Sequence, residues 1–234
     1  MAEVTVVIPT FNCINYLKMC VNSIRVNSLT DPKVLLIIDG STDGTREWAE
    51  QEGIEYVYRW EASRPQSQIN GGTRQELVGR CYDNLDLGAV LANTNVVYFG
   101  NDDTVFSSGW DDRMLSYIED RNLVANQIVE PGIDVPPWPG IIRHSCGASI
   151  AEFNLDAWNN FASRQAHDVC TEGWGLNIGI MCKRKFYIDE ILPRGGYRWM
   201  DGPPENMWNT FKFTRVCGVA LYHFSGRSSR CGGE

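Results

Sequence analysis

Three short apolar runs, Val4–Ile8, Val34–Ile38 and Val96–Phe99, are too brief for helices and too continuous for strands with one wet face. Runs of this kind are strands buried on both faces. Between them the chain has helical patterning. Leu17, Cys20, Val21 and Ile24 recur at helical spacing after the first run, with Asn12 or Asn15 as the cap. Arg46–Glu52 follows the second run as a short helical segment, and residues 73–91 precede the third. Ile54–Tyr58 is a further strand candidate, and the polar stretch from Trp60 to Gly72 reads as loop. Buried strands alternating with helices leave one main architecture, an α/β fold with a mostly parallel, Rossmann-like sheet flanked by helices.

Ligands of such sheets sit beyond the carboxyl ends of the strands. Three of those ends carry chemistry here: Thr10-Phe11-Asn12, the loop Asp39 to Thr45, and Asn101-Asp102-Asp103. The third end is the most pointed. Tyr98-Phe99-Gly100 breaks directly into two adjacent acids, and Gly109-Trp110 then opens a helix. Fixed carboxylates at a sheet rim can hold a hard divalent cation and share it with a diphosphate. The plain alternative is a solvated acidic turn, just as Asp43 reads most simply as a cap for the helix that follows it.

The rest of the composition narrows the field by exclusion. A net charge of -8 repels nucleic acid and anionic membranes. The charge is uneven: residues 1–140 hold 20 acids and 10 bases, residues 141–234 hold 9 and 11, so the later part is better suited to a phosphate-bearing ligand. Eight cysteines lie apart with no zinc-like spacing, which predicts mostly reduced, buried thiols. The first residues show neither a basic leader nor an apolar span, so no transmembrane segment and a cytoplasmic location are expected. With no flexible linker, the chain reads as one domain, 1–122 binding a nucleotide and 123–234, less regular and Pro-rich near residues 131–139, binding an acceptor.

In order and spacing, Val7-Ile8-Pro9-Thr10-Phe11-Asn12, Asp39-Gly40-Ser41-Thr42-Asp43-Gly44-Thr45, and Asn101-Asp102-Asp103-Thr104-Val105 with Gly109-Trp110 resemble the family 2 glycosyltransferases of the GT-A fold. The resemblance runs from Val4 to about Ser228. It implies that Pro9, Thr10, Asn12 and Asp39 hold the nucleotide of a nucleotide-diphosphate sugar, with Asp39 accepting from a base N–H. The family often has two acids before Gly-Ser, and here the first is Ile38. Asn101-Asp102-Asp103 stands where the family has its metal-binding DxD motif, which implies a divalent metal, Mn2+ or Mg2+, on Asp103 and a ribose or sugar contact for Asp102.

Inverting transfer also needs a carboxylate to take the acceptor's proton. The family's acid pair opens a helix in the second half, which corresponds here to Glu205-Asn206 within Asp201 to Trp208, followed by a helix-like run to Arg215. Glu205 ranks first as base, Asp201 second, and Glu172 is a third candidate. Trp174 offers a flat face to a sugar ring. On the strand Val219–Phe224, His223 is implied as a ligand of the metal or diphosphate, and Arg227 as a phosphate contact. The implied reaction is transfer of a sugar from a UDP- or dTDP-type donor to a hydroxyl of a glycan, polysaccharide precursor or protein. Uncharged Asn101 and Asn206 keep a second reading alive, a non-catalytic nucleotide or glycan binder. A nucleotidyltransferase is weaker, since no Gly-rich basic loop follows the first strand.

Overall fold

A computed structural model describes residues 3–59, 74–132, 141–165, 178–200 and 210–224. The first apolar run extends through Pro9 into a fully buried strand β1, Val4–Thr10. It lies between β2, Lys33–Ile38, and β4, Val96–Phe99, both parallel to it, and β3, Glu55–Tyr58, is parallel to β2. Pro9 is tolerated because β4 pairs β1 only as far as Val7. Val7 faces β4 and Thr10 faces β2, as the bonds from Gly100 N to Val7 O and from Asp39 N to Thr10 O show. By alternation the missing N–H of Pro9 falls on the side where the ladder has ended.

Side chains of these strands alternate cleanly between two cores. Val4, Val6, Ile8, Leu36, Ile38, Val96 and Tyr98 pack with helix α1, Ile14–Asn27, and helix α4, Trp110–Leu115. Val7, Leu35, Ile37, Val97 and Phe99 face the opposite way, against helix α3, Arg74–Leu91, and the segment 186–200. Helix α2, Thr45–Gln51, returns the chain from β2 to β3. α3 comes so close to the sheet at Gly88 that a Cβ there would stand 2.1 Å from a Val7 methyl.

The second half enlarges the same sheet. Its strands are β5, Thr104–Phe106; β6, Asn122–Glu130; β7, Ile141–Arg143; β8, Ile180–Lys183; and β9, Lys212–His223. The order is β3-β2-β1-β4-β8-β6-β9-β5, with β7 on β6. β8 is antiparallel to β4 and β6, β5 is antiparallel to β9, and the other pairs are parallel. Helix α5, Leu155–Ser163, seats Trp158 over Val105, Val129, Tyr222 and Phe224 in a third core. Helical turns continue from Arg184–Phe186 through Tyr187–Arg194 to Gly196–Met200, where Asp86 of α3 accepts from the Tyr187 hydroxyl and, at 2.8 Å, from Tyr197 N.

The sequence reading needs four corrections. The region after residue 122 is more regular than its sequence suggests, because β6 is nine buried residues long. Residues 212–215 belong to β9 and not to a helix. Neither Asn12 nor Asn15 caps α1; residue 13 fills that position without a side-chain bond, and Asp43 Oδ2 accepts from Ile14 N at 2.8 Å instead. Asp43 also accepts from Thr45 N and Oγ1, while the N-cap of α2 itself is Gly44, so one carboxylate ties two helix starts together. Cys13, Cys20, Cys81, Cys146 and Cys182 are thiols outside any disulfide, whereas Cys217 is disulfide-bonded. Among the described residues no helix is long and apolar enough to cross a membrane.

Candidate active site at the carboxyl edge of the sheet

Parallel register places the three chemically loaded ends on one edge. Thr10 pairs with Ile38, so Asp39 begins just beyond it, and Val7 pairs with Phe99, so Asp102 stands as far past that pair as Thr10 does. The β1 and β2 ends are cross-braced. Asn12 adopts φ 47, its N–H donates to Ser41 Oγ at 3.1 Å, and its Oδ1 accepts from Thr42 N at 2.7 Å. An Asn side chain tolerates that left-handed backbone and closes the turn. Asn12 thus shapes the loop.

Asp39 is nearly buried, at 4% exposure, and its Oδ2 accepts from Arg80 Nε at 2.8 Å. Arg80 comes from α3, and its guanidinium lies 5.8 Å from the centroid of the Phe11 ring. Buried carboxylates require such a partner, because desolvating an unpaired charge costs several kcal/mol, about 3–5 for a broken pair. Two polar atoms here lack a hydrogen-bond partner among the described residues, Thr10 Oγ1 and Arg80 Nη2. Buried donors left over beside a charged pair are suited to a polar ligand.

The acidic turn after β4 is held from beneath. Asn101 O accepts from Thr104 Oγ1 at 2.8 Å and from the Cys20 thiol of α1 at 3.3 Å. Burial, with a smaller push from Asp102 and Asp103 and against the Thr104 hydrogen bond, raises the Cys20 thiol to about 12, so it stays a protonated donor. Asp102 and Asp103 are buried, Asp103 completely. Asp103 O accepts from Phe224 N at 3.1 Å, and Thr104 pairs with His223, so the end of β9 is stitched to the acidic turn.

His223 therefore stands between two carboxylates. Its Nε2 is 3.5 Å from Asp103 Oδ1 and its Nδ1 is 2.8 Å from Glu130 Oε1, at the end of β6. Burial alone would lower the imidazole's pKa, but Asp103 and Glu130 together outweigh it and the net shift is upward. Among the described residues no group of three His, Cys, Asp or Glu side chains is arranged to hold a metal ion. Asp103 and His223 are nonetheless a chemically apt pair. Mg2+-like ions take one or two carboxylates plus substrate phosphates and waters rather than a full protein cage.

Pro9, Thr10, Asn12, Asp39, Asp102, Asp103 and His223 thus all occur along one edge. Glu205, Asp201, Glu172, Trp174 and Arg227 lie outside the described residues. Arg80 and Glu130 escaped the sequence reading. Glu130 left a weak signal that could have been read, since the run Ile128-Val129 breaks into an acid much as β4 is followed by Asp102 and Asp103. Arg80 left none, being one of two arginines on α3 with nothing in the local pattern to set it apart.

Comparison with known proteins now bears on this edge. Residues 5–75 match the model of glycosyl transferase family 2. No curated protein matches by sequence. By structure the chain is similar to S. aureus TarS, with TM-score 0.60 and 13% identity over 94% of this chain and 36% of that one. It is also similar to S. aureus TarS 1-349 in complex with UDP-GlcNAc, at TM-score 0.55 and 12% identity over 95% of this chain and 60% of the other. The corresponding complex with UDP gives 0.56 and 12% over 98% and 64%. The chain spans less than two thirds of these neighbours, and what the likeness carries at such identity is the fold, GT-A, as the sequence motifs implied.

Proposed function

We propose that this chain, a family 2 glycosyltransferase by its match over residues 5–75 and by its GT-A fold, transfers a sugar from a nucleotide-diphosphate donor to an acceptor hydroxyl with inversion. Residues 1–122 hold the donor and 123–234 receive the acceptor, a glycan, polysaccharide precursor or protein. The observation that carries the reading is the gathering of Thr10, Asp39 with Arg80, Asp102, and Asp103 with His223 along one sheet edge. Structural neighbours crystallised with UDP and UDP-GlcNAc support the donor class.

Chemistry at Asp39 favours a uridine or deoxythymidine base. A carboxylate can only accept, so it suits the N3–H of such a base, and the spare Arg80 Nη2 can donate to the neighbouring carbonyl. Cytosine offers an acceptor where uracil has N3–H and is disfavoured at a buried carboxylate. Asp102 takes a ribose or sugar hydroxyl. Asp103 and His223 hold a divalent cation, Mn2+ or Mg2+, which when bound offsets the charge developing on the departing diphosphate, with Arg227 pairing to its oxygens. Glu205, or failing it Asp201, removes the acceptor proton, while Glu172 and Trp174 shape the sugar and acceptor subsite.

The test is a panel of nucleotide sugars with and without Mn2+, read by melting temperature and by release of nucleotide diphosphate. A uridine or deoxythymidine diphosphate sugar that raises the melting point and turns over with Mn2+ supports the proposal. Uncharged Asn101 favours a second reading, a binder without catalysis, which saturable stabilisation with no turnover would establish. No stabilisation by any nucleotide would sink both.

A further inference from the structure

We infer that Glu130 is a positioning residue that fixes the ring of His223 so that Nε2 is presented to Asp103; the inference rests on the metal reading proposed above. Two distances carry it. Nδ1 is 2.8 Å from Glu130 Oε1, a hydrogen-bond separation that needs a proton between the atoms, whereas Nε2 is 3.5 Å from Asp103 Oδ1, longer than a normal N–H···O bond. When the ring is neutral, its one proton therefore belongs on Nδ1, donated to Glu130. The Nε2 lone pair is left facing Asp103, where a cation can be shared. Free imidazole side chains carry no such constraint; it is the bond at one nitrogen that sets what the other can do.

The framework fixes the backbones from which the two side chains meet. Val129 pairs with Tyr222 and Thr104 with His223, so the end of β9 has β6 on one side and β5 on the other. Glu130 is 3% exposed and its carbonyl is engaged by His144 N at 3.0 Å, which pins its backbone. A buried carboxylate on a central strand is expensive unless it has a donor, and His223 Nδ1 is the donor it meets.

The experiment reads the tautomer first and the metal second. Long-range 15N–1H correlation spectra of the metal-free protein, taken above the pH at which the ring loses its charge, should show His223 as the Nδ1–H tautomer. H223Q assigns the signal among the three histidines. An Nε2–H tautomer overturns the inference whatever the protein does with metal. Mn2+ affinity in the presence of UDP, from the electron paramagnetic resonance of free Mn2+, should fall about 10–100-fold in Glu130→Ala. Glu130→Gln, which keeps an oxygen to accept the Nδ1 proton, should recover most of that loss. In an H223Q background, Glu130→Ala should cost nothing further; an equal loss there means Glu130 acts on the fold and not through the ring. Should Glu130→Ala not fold, the tautomer and Glu130→Gln still decide. An Nδ1–H tautomer in a protein with no Mn2+ affinity upholds the bond and overturns the metal assignment instead.

Discussion

Replacing Arg80 by methionine keeps the aliphatic stem and removes the charge that faces Asp39. Only 5% of the Asp39 side chain and 15% of the Arg80 side chain are exposed. Removing one member of a buried ion pair costs about 3–5 kcal/mol because the remaining charge is left desolvated. The residual exposure of Arg80 lets water reach the gap, which argues for the lower end, about 3 kcal/mol, with roughly 0.5–1 kcal/mol of it from lost cation–π contact with Phe11. At about 2–4 °C per kcal/mol for a chain of this size, the melting point should drop by roughly 6–12 °C. Asp39→Asn combined with Arg80→Met removes both charges and should restore most of the loss, giving a coupling energy of about 1.5–3 kcal/mol. Urea unfolding followed by tryptophan fluorescence measures Arg80→Met, Asp39→Asn alone and the double variant. Arg80→Met within about 0.5 kcal/mol of wild type, the ordinary range for a surface substitution, would show that the pair is not a buried one and that Asp39 finds its compensation elsewhere. If the base of the donor sits here, both single variants also lose UDP affinity, whether or not the double variant regains stability.

Asp103→Asn should abolish Mn2+-stimulated turnover while leaving the circular dichroism spectrum unchanged; wild-type activity in that variant would remove the metal from Asp103. Gly88→Ala would place its Cβ 2.1 Å from Val7 Cγ1, so overpacking of about 1–3 kcal/mol should exceed the gain of about 1 kcal/mol in helix propensity, and thermal unfolding decides the sign. Val7→Ala added to it should relieve the clash. For His223 the folded value is raised, so the stability drawn from the charged ring is complete below its unfolded value of about 6.5 and is lost as pH climbs through the higher folded one. In chelator, unfolding free energy should therefore decline above about pH 6.5 in wild type and less in His223→Gln; parallel curves would mean the ring is not held charged.

Much of the nucleotide edge was legible because its determinants are local. A run such as Val34–Ile38 has no other use than a buried strand, and a strand that ends in Asp39 carries that acid to the rim by connectivity alone. The same holds for Asp102 and Asp103 after β4. Cross-chain partnerships were not legible. Asp43 reads as a local cap, yet it also satisfies Ile14 N, 29 residues earlier, because the loop after β2 lies against the start of α1. Arg80 reaches Asp39 from a helix whose polar sequence gives no hint of which residue faces the sheet edge.

The pairing of Glu130 with His223 shows the limit most sharply, since it depends on an irregularity. Asn126 pairs with Val216 but Gln127 pairs with Ala220, so Cys217, Gly218 and Val219 bulge out of β9, with Arg113 Nη1 donating to Gly218 O at 2.8 Å. An unbroken register from Asn126 and Val216 would set Glu130 opposite Ala220 and carry His223 past the end of β6. Three surplus residues are an odd number, so the bulge also reverses which face of the sheet each later side chain of β9 would otherwise share with its β6 neighbour. Reading 212–223 as a regular strand, even correctly, therefore assigns the histidine the wrong neighbours. A residue whose position is fixed by the bulge and by the β5 and β6 ladders together, as His223 is, can be recognised by type from sequence but placed only by the assembled sheet.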